Sequence, residues 1–252
     1  MISALKIVFL LGFLILIHES GHLLVAKLCK VKVNEFAIGF GPAIWKHQGK
    51  ETRYVLRAIP LGGFCSMEGE EERSDESGSF SKASIPRRIA IVAAGATVNI
   101  LFGLIVYFIL MSCIGMYAGT ENTFVNHIKF AAEETGQFFV SVFDSLKQLF
   151  TGKIGVDQMM GPVGISEVVA KTTGIQEFIY LLSVVSVSLG VTNLLPIPAL
   201  DGGRILLLII EAIFRKPLSE KLEINIQLLG FSLLIALSIY ITISDISRLI
   251  GT

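Results

Sequence analysis

Three residues near the start of the chain carry the strongest chemical signal: His18, Glu19 and His22, in the run His18-Glu-Ser-Gly-His22. The run lies inside an apolar stretch that begins at Met1. On a helix, side chains four apart leave the same face about one turn apart. Two neutral imidazoles so placed can grip one Zn²⁺, and Glu19 then lies where it can take a proton from bound water. Imidazole and carboxylate groups are costly within an apolar span, so their joint presence points to function rather than to chance or to a helix capped at an interface. The pair supplies two ligands, and a catalytic zinc usually takes a third from the protein. A second stretch offers it: Asn193-Leu-Leu-Pro-Ile-Pro-Ala-Leu-Asp201-Gly-Gly-Arg, midway along an apolar run from Phe178 to Phe214. Asp201 is either the third ligand or the cap of a helix resuming at Gly202. The missing ligand favours the first reading.

These groups need elements to hold them, and composition says which. The 252 residues are 52% hydrophobic, and mean hydropathy is +0.70, far above that of a soluble domain. Lys+Arg and Asp+Glu are equal at 21 each, so net charge carries no sign of a nucleic-acid partner. Cys29, Cys65 and Cys113 are scattered, with no C-x-x-C pair, and suggest neither a disulfide framework nor a thiolate metal site. The reading is an all-α polytopic membrane protein with four transmembrane helices, a β-hairpin-like reentrant region after the first, and a broken third helix. The expected divisions within one domain are 1–28, 29–86, 87–118, 119–177, 178–214 and 225–244. The first apolar run is too long for a cleavable signal and reads as a retained span.

Basic residues set the expected orientation. The first connection holds Lys30, Lys32, Lys46, Lys50, Arg53, Arg57, Arg73 and Lys82; the short third one holds Arg215, Lys216 and Lys221. The longer second connection has only Lys129, Lys147, Lys153 and Lys171. The first and third therefore read as cytoplasmic, and both termini as extracytoplasmic. His22 lies only about 7 Å of helical rise from Lys27, which puts the site nearer the inner face.

The connections differ in kind. Residues 35–63 are strand-like and punctuated by Gly and Pro; their Phe36, Phe40, Trp45 and Leu61 suit either a hairpin dipping into the bilayer edge or an ordinary cytosolic hairpin with interface anchors. Residues 68–84 are acidic and Ser-rich and read as mobile and solvated. In the second span, small residues at Ala93, Gly95, Ala96 and Gly103 permit close helix approach, and Asn99 either bonds a neighbouring helix or orients a ligand. Phe124, Ile128, Ala131, Phe138, Val142, Leu146 and Leu149 recur at helical spacing, for a helix on the membrane surface or packed on the bundle. Gly161-Pro-Val-Gly reads as a turn before another helix. The fourth span, with Asn225, Gln227 and Gly230 near its start, reads as packing or a gate.

With both signatures in view, the chain resembles the site-2 proteases, intramembrane zinc metalloproteases, and within them the regulator-of-sigma-E protease branch. His18-Glu-Ser-Gly-His22 matches the zinc helix of that family, and Asn193 to Gly203 matches its second signature, whose aspartate is the third ligand. Gly39-Phe-Gly-Pro-Ala-Ile-Trp45 and Ile59-Pro-Leu-Gly-Gly-Phe64 resemble its reentrant hairpin; Ala94-Gly-Ala-Thr-Val-Asn99 and Gly161-Pro-Val-Gly-Ile165 are also similar. The resemblance implies Zn²⁺ on His18, His22 and Asp201, Glu19 as general base, Asn193 facing substrate, and cleavage of single-span membrane proteins or remnant peptides in the bilayer. It further implies an upstream site-1 protease as a partner, and no nucleic acid. Two features depart. Ala96 stands where the branch usually has proline, and the second connection is too short for the branch's PDZ domains. A metal-ion transporter is the rival from another class, though no internal repeat supports it; a catalytically dead binding homologue is another, against which the intact Glu19 speaks.

Overall fold

In a computed structural model, which describes residues 2–70, 72–114, 123–155 and 159–251, the chain runs α1 (Ile2–Leu28), β1 (Val33–Gln48), β2 (Arg53–Met67), α2 (Ile85–Ile114), α3 (Phe124–Phe150), α4 (Pro162–Lys171), α5 (Ile175–Asn193), α6 (Asp201–Phe214) and α7 (Glu220–Ile250). Four helices, α1, α2, α5 and α7, are long and apolar enough to cross a bilayer. The chain is thus a multi-pass membrane protein. Their ends differ from the hydropathy reading. The last four residues of the expected 87–118 span lie outside the described residues. The fourth span, expected over 225–244, extends to Glu220 and Ile250, because a helix continues through charged residues that end an apolar window.

The third span is broken, at residues 194–200. The prolines Pro196 and Pro198 lie in the break, but Gly202 and Gly203 do not: they form the first turn of α6. Their role is closeness. A Cβ on Gly202 would collide with the Leu194 and Leu195 carbonyls, and one on Gly203 with Ile197.

The β-hairpin expected after the first span is present as two strands, so the fold is mostly helical rather than all-α. β1 and β2 pair antiparallel as two long, bent strands, and residues 35–38 lie opposite both 63–66 and 53–56. Gly39, Gly41 and Gly62 take positive φ at the bends, which a glycine does without strain. The acidic stretch after β2 is also less free than its composition suggests. Asn34 donates to Glu68 at 3.0 Å, and Phe80, in a 3-10 turn at Phe80–Lys82, is 2% exposed. Glu71 lies outside the described residues.

By packing the chain divides into two compact units. The first, Val8–Asn99 with Gly190–Leu234, has a core of Ala26, Val33, Phe36, Met67, Phe80, Ile91 and Leu208. Within it Gly21 sets α1 on α2, since a Cβ there would lie 2.6 Å from the Ala94 carbonyl oxygen. Arg88 of α2 donates to Glu211 of α6 at 2.8 Å. The second unit, Met1–Ile7 with Ile100–Leu189 and Ile235–Thr252, has a core of Tyr107, Leu110, Met111 and Ala131. There Tyr107 of α2 stacks on Phe138 of α3 with centroids 4.4 Å apart. The helix predicted from the 124–149 periodicity is α3, and in this unit it packs one face on α2. Gly161-Pro-Val-Gly is not a separate turn. Gly161 is the N-cap of α4, and Pro162 opens the helix, where its lack of an N–H loses nothing.

Candidate active site

Helix α1 presents His18 and His22 on one face, as their spacing predicts. Their Nε2 atoms lie 3.2 Å apart. Asp201, the first residue of α6, brings its Oδ2 to 3.3 Å from His18 Nε2 and 3.6 Å from His22 Nε2. It makes no side-chain cap on α6, whose N-cap is Leu200, so the capping reading is set aside. Among the described residues these three form the group of His, Cys, Asp or Glu able to hold a metal ion.

Protonation follows from the partners. His22 Nδ1 lies 2.9 Å from the Ile91 carbonyl oxygen, which can only accept, so Nδ1 carries the proton and Nε2 presents a lone pair. That lone pair faces His18 Nε2 and a carboxylate oxygen. Asp201 Oδ2 is buried and has no hydrogen-bond donor of its own. His18 Nδ1 has no partner among the described residues to fix its tautomer; with His18 Nε2 also unprotonated, such a convergence of acceptors is unfavourable unless a cation lies among them. The spacing fits zinc. Bonds of about 2.05 Å at the tetrahedral angle put two donor atoms about 3.3 Å apart. A carbonyl holding the far nitrogen of a ligating imidazole fixes tautomer and orientation, and the Ile91 carbonyl is placed to do so for His22.

Glu19 is aimed by the sheet. The backbone N–H of Cys65 in β2 hydrogen-bonds its carboxylate, and Gly63 lies against it: a Cβ there would be 3.4 Å from Glu19 Cγ. A cavity of about 200 Å³ opens on His18, Glu19, His22, Cys65, Glu70 and Asp201. Burial, and after it the charges of Glu19 and Glu70, push the Cys65 thiol up to about 12, and Cys65 is not among the three side chains placed to share a metal. Arg204 donates to Glu70 at 2.5 Å, tying the first turn of α6 to the loop after β2. A larger cavity, of about 650 Å³, shares Asp201, Glu70 and Arg204 and continues along α7 past Gln227 and Phe231.

A sequence model of peptidase family M50 matches residues 6–237. The chain belongs to peptidase family M50. A candidate zinc metalloprotease of Clostridium acetobutylicum is 30% identical over 320 aligned positions, covering 93% of this chain and 94% of that protein. One of Clostridium perfringens is 31% identical over 318 positions, covering 92% and 95%. The zinc metalloprotease RasP of Geobacillus kaustophilus is 23% identical over 412 positions, covering 98% of each. These alignments are longer than the 252 residues of this M50 chain, so the relatives carry residues that it lacks.

The structure brings together four of the five residues read from sequence, His18, Glu19, His22 and Asp201, around one cavity. Asn193 is half-buried in the last turn of α5 and does not line that cavity. Asn99 is fully buried in α2. Sequence reasoning missed Gln227, Arg204 and Glu70. Glu70 sits in an acidic run where nothing separates it from its neighbours. Gln227 was readable only as a polar residue in an apolar helix, a signal assigned above to packing.

Proposed function

We propose that this zinc metallopeptidase hydrolyses peptide bonds within the transmembrane segments of single-span membrane proteins or remnant peptides, the whole chain acting as one catalytic domain. The observation that carries this reading is the convergence of His18, His22 and Asp201 beside Glu19, on a helix apolar enough to span a bilayer. Zinc, when bound, supplies Lewis acidity toward water and the scissile carbonyl. His18, His22 and Asp201 would hold it. Glu19, aimed by the Cys65 amide, takes the proton from water and delivers it to the leaving amine. Asn193 is assigned to the substrate backbone or the developing oxyanion.

A helical substrate has every carbonyl bonded, so it must unwind before attack. The bent sheet offers it an edge for strand pairing. Phe40, Ile44, Trp45 and Ile59 are exposed on that sheet, which suits insertion at the bilayer edge. The basic residues of the first and third connections support assigning both termini to the extracytoplasmic side and the site to the cytoplasmic side of the membrane. Between α2 and α5 the described residues form two helices, α3 and α4. Access then rests on α3, on prior cleavage by a site-1 protease, or on both.

The test is Glu19→Gln. The variant should keep zinc and fold while cleavage of a bilayer-embedded single-span substrate falls by roughly 10²–10⁴. Full activity in that variant would remove Glu19 as the base. Mass spectrometry of membrane peptides that accumulate with it would name the substrates.

A further inference from the structure

We infer that Gln227, on α7, is a positioning residue for the metal site, acting through the backbone of Ala199. The inference rests on the assignment of Asp201 as a ligand.

The break between α5 and α6 must deliver Asp201 at one place and angle. Pro196 and Pro198 have no N–H to give. The remaining donors of the break find main-chain carbonyls: Leu194 on Gly190 and Val191, Leu195 on Thr192, Ile197 on Leu195, and Leu200 on Ile197. Ala199 is the exception. Its N–H donates to Gln227 Oε1 at 2.7 Å, a side chain from another helix. Ala199 also sits at φ 72°, in the left-handed region that an L side chain enters only at a cost. A strained turn of this kind persists where its surroundings hold it. It lies one residue from the N-cap of α6 and two from Asp201. Gly230, one turn further along α7, closes the same contact, since a Cβ there would collide with Pro198. Both contacts press α7 onto the break. With the Ala199 amide released, the turn can relax toward negative φ, which swings the start of α6 and moves Asp201 Oδ2 off the two imidazoles.

The experiment uses the full chain in detergent and reads metal, not turnover. Zinc affinity is measured by competition with a chromophoric chelator, and the site's geometry by the absorption of the cobalt-substituted protein. Gln227→Leu should lower zinc affinity ten- to a hundredfold, the range for removing an outer-shell support, and alter the cobalt spectrum, with helix content unchanged. Gln227→Glu, whose carboxylate still accepts the amide, should restore both. Ala199→Gly added to Gln227→Leu should recover affinity, because glycine holds positive φ unaided. Leu228→Ala, beside Gln227 in the larger cavity along α7, should bind zinc as the parent does. Should Gln227→Leu fail to fold, Gln227→Asn, too short to reach the amide, takes its place with the same expected loss. Parental zinc affinity in Gln227→Leu or Gln227→Asn overturns the inference, as does an equal loss in Leu228→Ala or no rescue by Gln227→Glu. Asp201→Ala separates the two ideas. If it binds zinc like the parent, the ligand assignment fails; if it loses zinc while Gln227→Leu does not, only the role of Gln227 fails.

Discussion

At the site, Gly95 stands where any side chain would meet both imidazoles: a Cβ built there lies 2.8 Å from His22 Cε1 and 2.9 Å from His18 Cε1. The rings cannot retreat far, since His22 is 9% exposed and held by Ile91. Gly95→Ala therefore separates two effects of opposite sign. Alanine favours the helix over glycine by about 1 kcal/mol, so α2 should not weaken. The rings must shift, and zinc affinity should fall by about tenfold or more, as for other disturbances of ligand support. Chelator competition beside circular dichroism checks both, and unchanged zinc affinity would show that the rings have more room than the packing allows. The two histidines were legible in the sequence because their spacing alone puts them on one face. Their dependence on a glycine in α2 was legible only as a general small-residue stripe.

Among the elements, the hairpin carries a buried carboxylate and α4 is capped by one from α7, and each contributes to the stability of its element. Glu35 of β1 is bonded by Arg57 at 2.6 Å and by Arg53. Burial alone would push its carboxyl up, but the bonds from Arg57 and Arg53 outweigh it and hold the group below its ordinary 4.5. A carboxylate lowered on folding contributes stability that is complete above the ordinary value. That contribution is lost as pH falls below 4.5 and through the lowered value. Amide exchange in β1 and β2 should thus accelerate on acidification, and Glu35→Gln should flatten that dependence; identical pH profiles in the two proteins would discard the account. In the second unit, Asp245 of α7 is 1% exposed and accepts the Gly161 and Gly164 N–H groups at 3.0 and 2.7 Å. It caps α4 from another helix and is paired with Arg248 at 2.8 Å. Asp245→Ala strands two amides and a cation, and should lower stability by about 3 kcal/mol, with protease access to α4 as the local readout. A stability within experimental error of the parent would mean those amides find other partners. Nothing in the sequence joins Asp245 to Gly161, since the link crosses more than eighty positions.

For the whole molecule, the proposed orientation assigns the first and third connections to the cytoplasm on the strength of their basic residues. Labelling of single cysteines at position 50 and at position 216 should be blocked in intact cells, and labelling at position 129 should proceed; the reverse pattern would invert the assigned topology. By itself the sequence determined the class of molecule and most of its site. Apolar length specifies spans whatever the packing, and helical period places two histidines and a glutamate on one element. The paired prolines dictate a break because they lack donors. Only the tertiary structure decided that Asp201 reaches the imidazoles and that β2 aims Glu19. It alone showed that a glutamine from α7 accepts the Ala199 amide in the turn before Asp201. Those contacts join residues far apart in the chain, so no local pattern encodes them; they arise when the burial of one helix against another leaves a single place for each polar group to go.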